Sequence, residues 1–262
     1  NHLGTDIFTI PYPWRMMDNM DVEIVAAAPG TILYKSDGNY DTNCGEGGNW
    51  NSVYILHDDG SEAWYGHMKL YSTTTKSIGE SVETGEYLGV VGSSGFSTGP
   101  HLHFELWDYI SANNYVLIDP FDGNCNETVD ESSWENQIDY INPGFLSLST
   151  HGFLPWYPVC PEREIPNEKR IFSPSERISM LAFFRDLNTG ITFEFKLRDP
   201  NGIIVDYSNV FHNYGLWYWA YYWQNFTLPA NAESGEWVYT LEFQNLVHEY
   251  PFIVGEAGCT DP

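Results

Sequence analysis

Positively charged side chains are scarce: the 262-residue chain holds 11 Lys+Arg against 36 Asp+Glu, a formal charge of −25. Such a surface repels polyanions, which excludes general nucleic-acid binding and disfavours docking on anionic lipid. The plain reading of that charge is solubility, for instance in a salty medium. No uncharged apolar run approaches the ~18 residues that a membrane helix needs. No signal-peptide pattern opens the chain, so it reads as a mature or trimmed product. The four cysteines, Cys44, Cys125, Cys160 and Cys259, include no Cys-x-x-Cys pair, which argues against a cysteine zinc knuckle. Internal repeats and low-complexity tracts are also lacking, and one short helix, within 130–147, is all the helical character expected.

What is present describes a β protein. Hydrophobic residues make up 42% and aromatic ones 16%, enough apolar material for packed cores and too much for bulk disorder. The length suits one large domain or two ordinary ones. VYILHDDGSEAWYGHM reads as two strands around the turn Asp58–Ser61, and EIVAAAPGTILYK as two strands broken at Pro29-Gly30. GEYLGVVG and HLHFELW are further strands. Around 130–168 the texture becomes polar and Pro-rich, as in a linker. Six short strands with turn residues between them then follow, from RISMLAFFRD to YPFIV. The expected organisation is therefore a first domain over 1–145, a linker over 146–168, and a β-sandwich over 169–262. The first part is the more acidic: residues 1–145 carry 4 Lys/Arg and 22 Asp/Glu, the remainder 7 and 14. In LWYWAYYWQNF, Tyr218, Ala220, Tyr222 and Gln224 share one face, and Trp217, Trp219, Tyr221 and Trp223 the other. One face builds the sandwich core; the spare rings either pack or stack on a ligand.

An even number of cysteines suits an oxidising compartment. Four allow three pairings; position along the chain favours Cys160–Cys259 with Cys44–Cys125.

Chemistry concentrates in the histidines. In GPHLHFEL a strand places His101 and His103 on one face, with Leu102 and Phe104 on the other. Two adjacent imidazoles suit a metal ligand and a partner acting on water beside it. In NHLGTDI, His2 and Asp6 offer an imidazole and a carboxylate; Gly4 and Thr5 favour a turn or extended segment over a helix. With His103 they form a three-ligand set that leaves a fourth position open, as catalytic zinc sites do. His67, in WYGHMKL, becomes a candidate proton carrier beside such a site. His57, next to a turn, reads as structural. GVVGSSGFSTG has glycine spacing like a nucleotide loop, but a strand follows it instead of a helix, so it reads as a turn shaping a groove wall. DGNYDTN at 37–43 lacks the glycine and glutamate of a calcium loop. The glycosylation sequons at Asn126 and Asn225 carry no weight without a host.

The order His-x-x-x-Asp, a hairpin ending Tyr-Gly-His, and Gly-Ser-Ser-Gly-x-Ser-Thr-Gly-Pro-His-Leu-His-Phe-Glu closely resembles the LytM-type, or lysostaphin-like, zinc metallopeptidases. AAAPGTIL, VETGEYLGVVG and IDP at 118–120 agree, so the resemblance covers about 1–122. It implies an antiparallel-sheet catalytic domain with a groove, here followed by an immunoglobulin-like β-sandwich. It implies one zinc ion per chain on His2, Asp6 and His103, with His67 and His101 as the catalytic histidines. Regulatory relatives have lost ligands; this chain keeps all three. His101 would hold or deprotonate water and His67 would stabilise the oxyanion or carry a proton to the leaving amine; the division of labour between the two is left open by the sequence. Glu105, on the same strand face, is a candidate to orient a ligand imidazole. Only Asn1 precedes the first ligand, so either processing removes an upstream strand or another segment takes its place. The implied function is a secreted or periplasmic zinc endopeptidase acting on peptidoglycan cross-bridges or a Gly-rich extracellular protein. The competing reading is a non-catalytic wall-binding or regulatory module. Nucleic acid and membrane insertion are not expected, and the oligomeric state is open.

Overall fold

The computed structural model describes residues 2–45, 47–111, 114–123, 126, 128–129 and 131–255. The chain forms two compact units, Asn1–Gln137 with Tyr157–Glu164, and Ile138–Trp156 with Ile165–Pro262.

The first unit contains β1 (Thr5–Phe8), α1 (Pro13–Asn19), β2 (Glu23–Val25), β3 (Gly30–Ser36), β4 (Ser52–Leu56), β5 (Glu62–Gly66), β6 (Ser81–Val82), β7 (Tyr87–Val90), β8 (His101–Ser111) and β9 (Asn114–Ile118). Its main sheet runs β1-β8-β5-β4-β3-β6. The long β8 carries β1 along its first half and β9 along its second. Period-2 alternation decides which way each strand faces. Val53 and Ile55 of β4, Ala63 and Tyr65 of β5, and Phe104 of β8 enter one hydrophobic core with Ile24, Ile32, Met68, Leu88 and Val91. The alternate residues, among them Tyr54, Trp64, His103 and Glu105, are left for the other face. The expected hairpin over 52–66 is present, Val53 opposite Tyr65. The two strands around Pro29-Gly30 do not pair with each other: β2 pairs with β7, and β3 with β4 and β6.

The only helix among the described residues is α1, seven residues long, so no described helix is long and apolar enough to cross a membrane. It was not expected from the sequence; a stretch this short shows no helical period, and its one signal is the proline in its first turn. Tyr12, its N-cap, supplies no side-chain cap. Glu164 does so from far along the chain: the backbone N–H groups of Trp14 and Arg15 donate to its two carboxylate oxygens at 3.2 and 3.1 Å. Arg163 clasps Asp18 with two hydrogen bonds and lies 5.0 Å from the Trp14 ring centre. The helix expected within 130–147 is absent among the described residues there, which form turns and bends before β10.

The same returning segment sets the disulfide. Cys160 bonds Cys44, not Cys259 or Cys125, which both lie outside the described residues. Position along the chain misled because 157–164 belongs to the first unit. The bond closes a 116-residue separation. Chain entropy then stabilises the fold by up to ~5 kcal/mol, and native strain subtracts from that figure. Replacing both Cys44 and Cys160 by serine should speed amide hydrogen exchange in β4 and β5 while leaving the second unit unchanged. Unaltered exchange in β4 and β5 would show that the bond does not support the first unit.

The second unit contains β10 (Gly144–His151), β11 (Ile171–Phe172), β12 (Arg177–Leu187), β13 (Thr192–Arg198), β14 (Ile204–Phe211), β15 (Trp217–Thr227), β16 (Gly235–Phe243) and β17 (Leu246–Val254). One sheet runs β10-β12-β15 and the other β11-β17-β16-β13-β14. Met180, Ala182, Phe184 and Ala220 of the first share one core with Phe193, Phe195, Leu197, Tyr239 and Leu241 of the second, a β-sandwich arrangement. Sandwich strand β10 straddles the boundary expected at 145/146 between first domain and linker, and its sequence GFLSLSTH carries few of the β-branched residues that mark a strand. The aromatic run forms β15, with Ala220 and Tyr222 on the core face.

Candidate active site

Register assembles the site. β1 runs antiparallel to β8, so Asp6 lies opposite His103 and Phe8 opposite His101. β5 flanks β8 on its other side, with Gly66 opposite His103, and His67 follows directly. The turn between His2 and Asp6 needs Gly4: its φ is +79°, and a Cβ there would stand 2.3 Å from the Phe104 carbonyl oxygen. His2 and Asp6 thus meet across a turn and an extended strand, not on a helix face. One carboxylate oxygen, Oδ1 of Asp6, faces three imidazole nitrogens: Nε2 of His2 at 3.1 Å, Nδ1 of His103 at 2.8 Å and Nε2 of His101 at 3.4 Å. Ligand atoms of His2, Asp6 and His103 all lie within 4.8 Å of one another, the single such group among the described residues.

His67 and His101 are held differently. Nδ1–H of His67 donates to the Ser94 carbonyl at 2.7 Å, and Nδ1–H of His101 to the Gly99 carbonyl at 2.7 Å. A carbonyl only accepts, so each ring carries its proton on Nδ1 there and offers Nε2 to the groove. Both carbonyls belong to the Gly/Ser-rich segment before β8, which is therefore more than a groove wall. His67 has φ +59°, a left-handed conformation uncommon for residues other than glycine. Trp50 packs edge-on to His67 and tilted against His103, with ring centres 5.4 and 5.7 Å apart. It fits only because Gly66 and Gly95 flank it: a Cβ on either would stand 2.2 or 2.7 Å from Trp50 atoms. The groove encloses about 870 Å³. Among the described residues its lining includes His2, Asp6, His67, His101 and His103 together with Leu3, Tyr34, Trp50, Phe96 and Glu105, and no lysine or arginine.

Residues 14–120 match the sequence model of peptidase family M23. The chain carries an M23 peptidase domain. It is 37% identical over 108 residues to the DD-carboxypeptidase/endopeptidase Mpg of Neisseria meningitidis, which covers 39% of this chain and 22% of that protein. It is 30% identical over 115 residues to the glycyl-glycine endopeptidase ALE-1 of Staphylococcus capitis, covering 44% of this chain and 26% of that protein. The aligned part thus spans about a quarter or less of these curated relatives. Among solved structures, the catalytic domain of the antimicrobial peptidase lysostaphin from Staphylococcus simulans is 26% identical, covering 44% of this chain and 74% of that one, with a TM-score of 0.31.

The M23 match begins after His2 and Asp6, so their place in the cluster rests on the strand register. Electrostatics at this cluster favour a held positive charge. Burial works to raise the Asp6 carboxyl, but hydrogen bonds from His101 and His103 outweigh it and hold the group well below the usual carboxylate range. Burial likewise opposes charge on His103, yet Asp6 and Glu105 on either side of the ring push it up to about 9. His67 goes the other way, down to about 4, through burial first and the neighbouring His101 next. Two imidazoles and a carboxylate within reach of one point are a donor set that zinc accepts, and the converging carboxylates would balance a divalent cation.

Other histidines and acids play different parts. His57 is buried with Nδ1 on the Pro29 carbonyl at 2.8 Å, as a structural residue is. Asp37 accepts hydrogen bonds from Gly38, Tyr71 and Thr73 and so staples a loop. Sequence reasoning missed Trp50 and the two carbonyls. The glycines at 66 and 95 were the available signal for the first; a backbone carbonyl leaves none.

Proposed function

We propose that the chain is a secreted zinc metalloendopeptidase. It hydrolyses peptide bonds, in peptidoglycan cross-bridges or in a Gly-rich extracellular protein. The observation that carries this reading is the convergence of three imidazole nitrogens on Oδ1 of Asp6 beside two histidines whose Nδ1 atoms are tied to carbonyls. His2, Asp6 and His103 would hold the zinc. When bound, zinc supplies Lewis acidity, acidifying water and polarising a carbonyl.

The chain's own side chains supply the rest. His67, kept neutral by burial, presents an unprotonated Nε2 and accepts the proton of the attacking water. It then returns that proton to the leaving amine. His101, with Nδ1–H on the Gly99 carbonyl, likewise presents Nε2 to the groove, 3.4 Å from Asp6 Oδ1, where it is placed to hold the attacking water by accepting a hydrogen bond. The names of Mpg and ALE-1, a DD-carboxypeptidase/endopeptidase and a glycyl-glycine endopeptidase, support peptide cleavage. The Cys44–Cys160 disulfide supports a location outside the reducing cytoplasm. A non-catalytic module would not need all five residues assembled. Mass analysis of products from purified peptidoglycan and from a Gly-rich protein tests the reading: new internal amino termini are expected from one of them. Intact polymer in both digests would overturn the substrate assignment.

We further infer that the sandwich places polymeric substrate and takes no part in the chemistry. Trp219 and Trp223 of β15 share the face away from the core and are 47% and 49% exposed, and such rings bind by stacking at modest energy. Replacing both by alanine should leave cleavage of a short soluble peptide unchanged and slow digestion of an insoluble polymer. Equal slowing of both substrates would contradict a placing role.

A further inference from the structure

Glu105 is a buried carboxylate that the chemistry above does not use. It is 5% exposed, and the backbone of Gly4 lies so close over it that a Cβ there would stand 2.7 Å from its Cγ. Both of its oxygens are engaged by N–H donors. Nε2–H of His103 donates to Oε1 at 2.8 Å, and Nε1–H of Trp107 donates to Oε2 at 2.7 Å. Strand period explains the placement, since His103, Glu105 and Trp107 alternate onto one face of β8. Across the sheet Trp64, with its ring centre 5.5 Å from that of Trp107, backs the indole.

We propose that Glu105 is a positioning residue for the metal site: it fixes His103 so that Nδ1, not Nε2, is the ring atom on the side of Asp6, while Trp107 fixes Glu105. This rests on the reading of His2, Asp6 and His103 as metal ligands. An imidazole offers two alternative ligand atoms, and the partner of one decides which the other can be. A carboxylate is the one side chain that accepts from both neighbours here. A glutamine has one accepting and one donating end, so it leaves either His103 or Trp107 with two N–H groups facing each other.

That mismatch gives the test. Zinc affinity is measured by chelator competition on the full chain, alongside the visible spectrum of the cobalt(II)-substituted protein as a report on ligand geometry. Glu105→Gln should weaken zinc about 10–100-fold and alter the cobalt spectrum. Trp107→Phe removes one of the competing N–H groups. The double variant Glu105→Gln/Trp107→Phe can point its carbonyl at His103, so it should recover most of the lost affinity and the cobalt spectrum of the natural chain. Affinity in Glu105→Gln equal to that of the natural chain would overturn the proposal. So would a double variant as weak as Glu105→Gln, because lost negative charge alone would then explain the effect. Should Glu105→Gln fail to fold, Glu105→Asp decides: it keeps the charge but shortens the reach, so weakened zinc supports positioning and unchanged affinity overturns it. A natural chain that binds no zinc would instead overturn the metal reading itself, before any variant is compared.

Discussion

His67→Ala and His101→Ala proteins are each expected to retain one zinc per chain and to lose about 10²–10⁴-fold in kcat/KM, the usual range for general acid–base groups. Neither residue belongs to the His2, Asp6 and His103 group whose donor atoms lie within 4.8 Å of one another. Their Nδ1 atoms are committed to the carbonyls of Ser94 and Gly99, which leaves Nε2 for chemistry in the groove. The two rings stand 4.7 Å apart between centres, close enough to serve one scissile bond. Zinc content is read by elemental analysis and turnover with a short peptide. A variant that turns over at the natural rate removes its residue from the mechanism. A variant that loses zinc moves its residue into the ligand set.

The second large effect belongs to His103. Its ring lies between Asp6 and Glu105, 2.8 Å from each. His103→Ala removes one of three ligand groups and takes the hydrogen-bond donor from Oε1 of the buried Glu105, whose Oε2 stays on Trp107. The expected loss of zinc affinity exceeds the ~100-fold ceiling typical of residues that only orient ligands. Stability should fall as well, by ~1–3 kcal/mol, the cost of leaving a buried acceptor unsatisfied. Circular dichroism separates the two effects by showing whether the zinc-free variant is folded. Full zinc occupancy in folded His103→Ala protein would remove His103 from the ligand set.

Much of the first unit was legible because strand alternation is a local signal. HLHFELW told its own story: His101, His103 and Glu105 on one face, Leu102 and Phe104 on the other. The resemblance then supplied partners for these histidines. What stayed hidden needed information that no local window contains. Asp6 meets His103 through a strand register spanning 97 residues. Cys160 finds Cys44 because 157–164 belongs to the first unit while the strands on either side of it belong to the second, so the expected pairing with Cys259 followed a domain order that the fold does not keep. Helix α1 is too short to show a period, and its cap, Glu164, lies 150 residues away from Trp14. The carbonyls of Ser94 and Gly99 act through the backbone, where side-chain identity is silent.

We propose that one zinc ion on His2, Asp6 and His103 makes this domain a peptidase, and a metal titration tests that dependence. The full chain is stripped with a chelator, zero zinc content is verified, and hydrolysis of a short peptide is followed as zinc is returned in sub-stoichiometric steps. Activity should be absent at zero metal, rise linearly, and level off at one zinc per chain. Hydrolysis at full rate by the metal-free protein, or no hydrolysis at one equivalent of bound zinc, would contradict the claim.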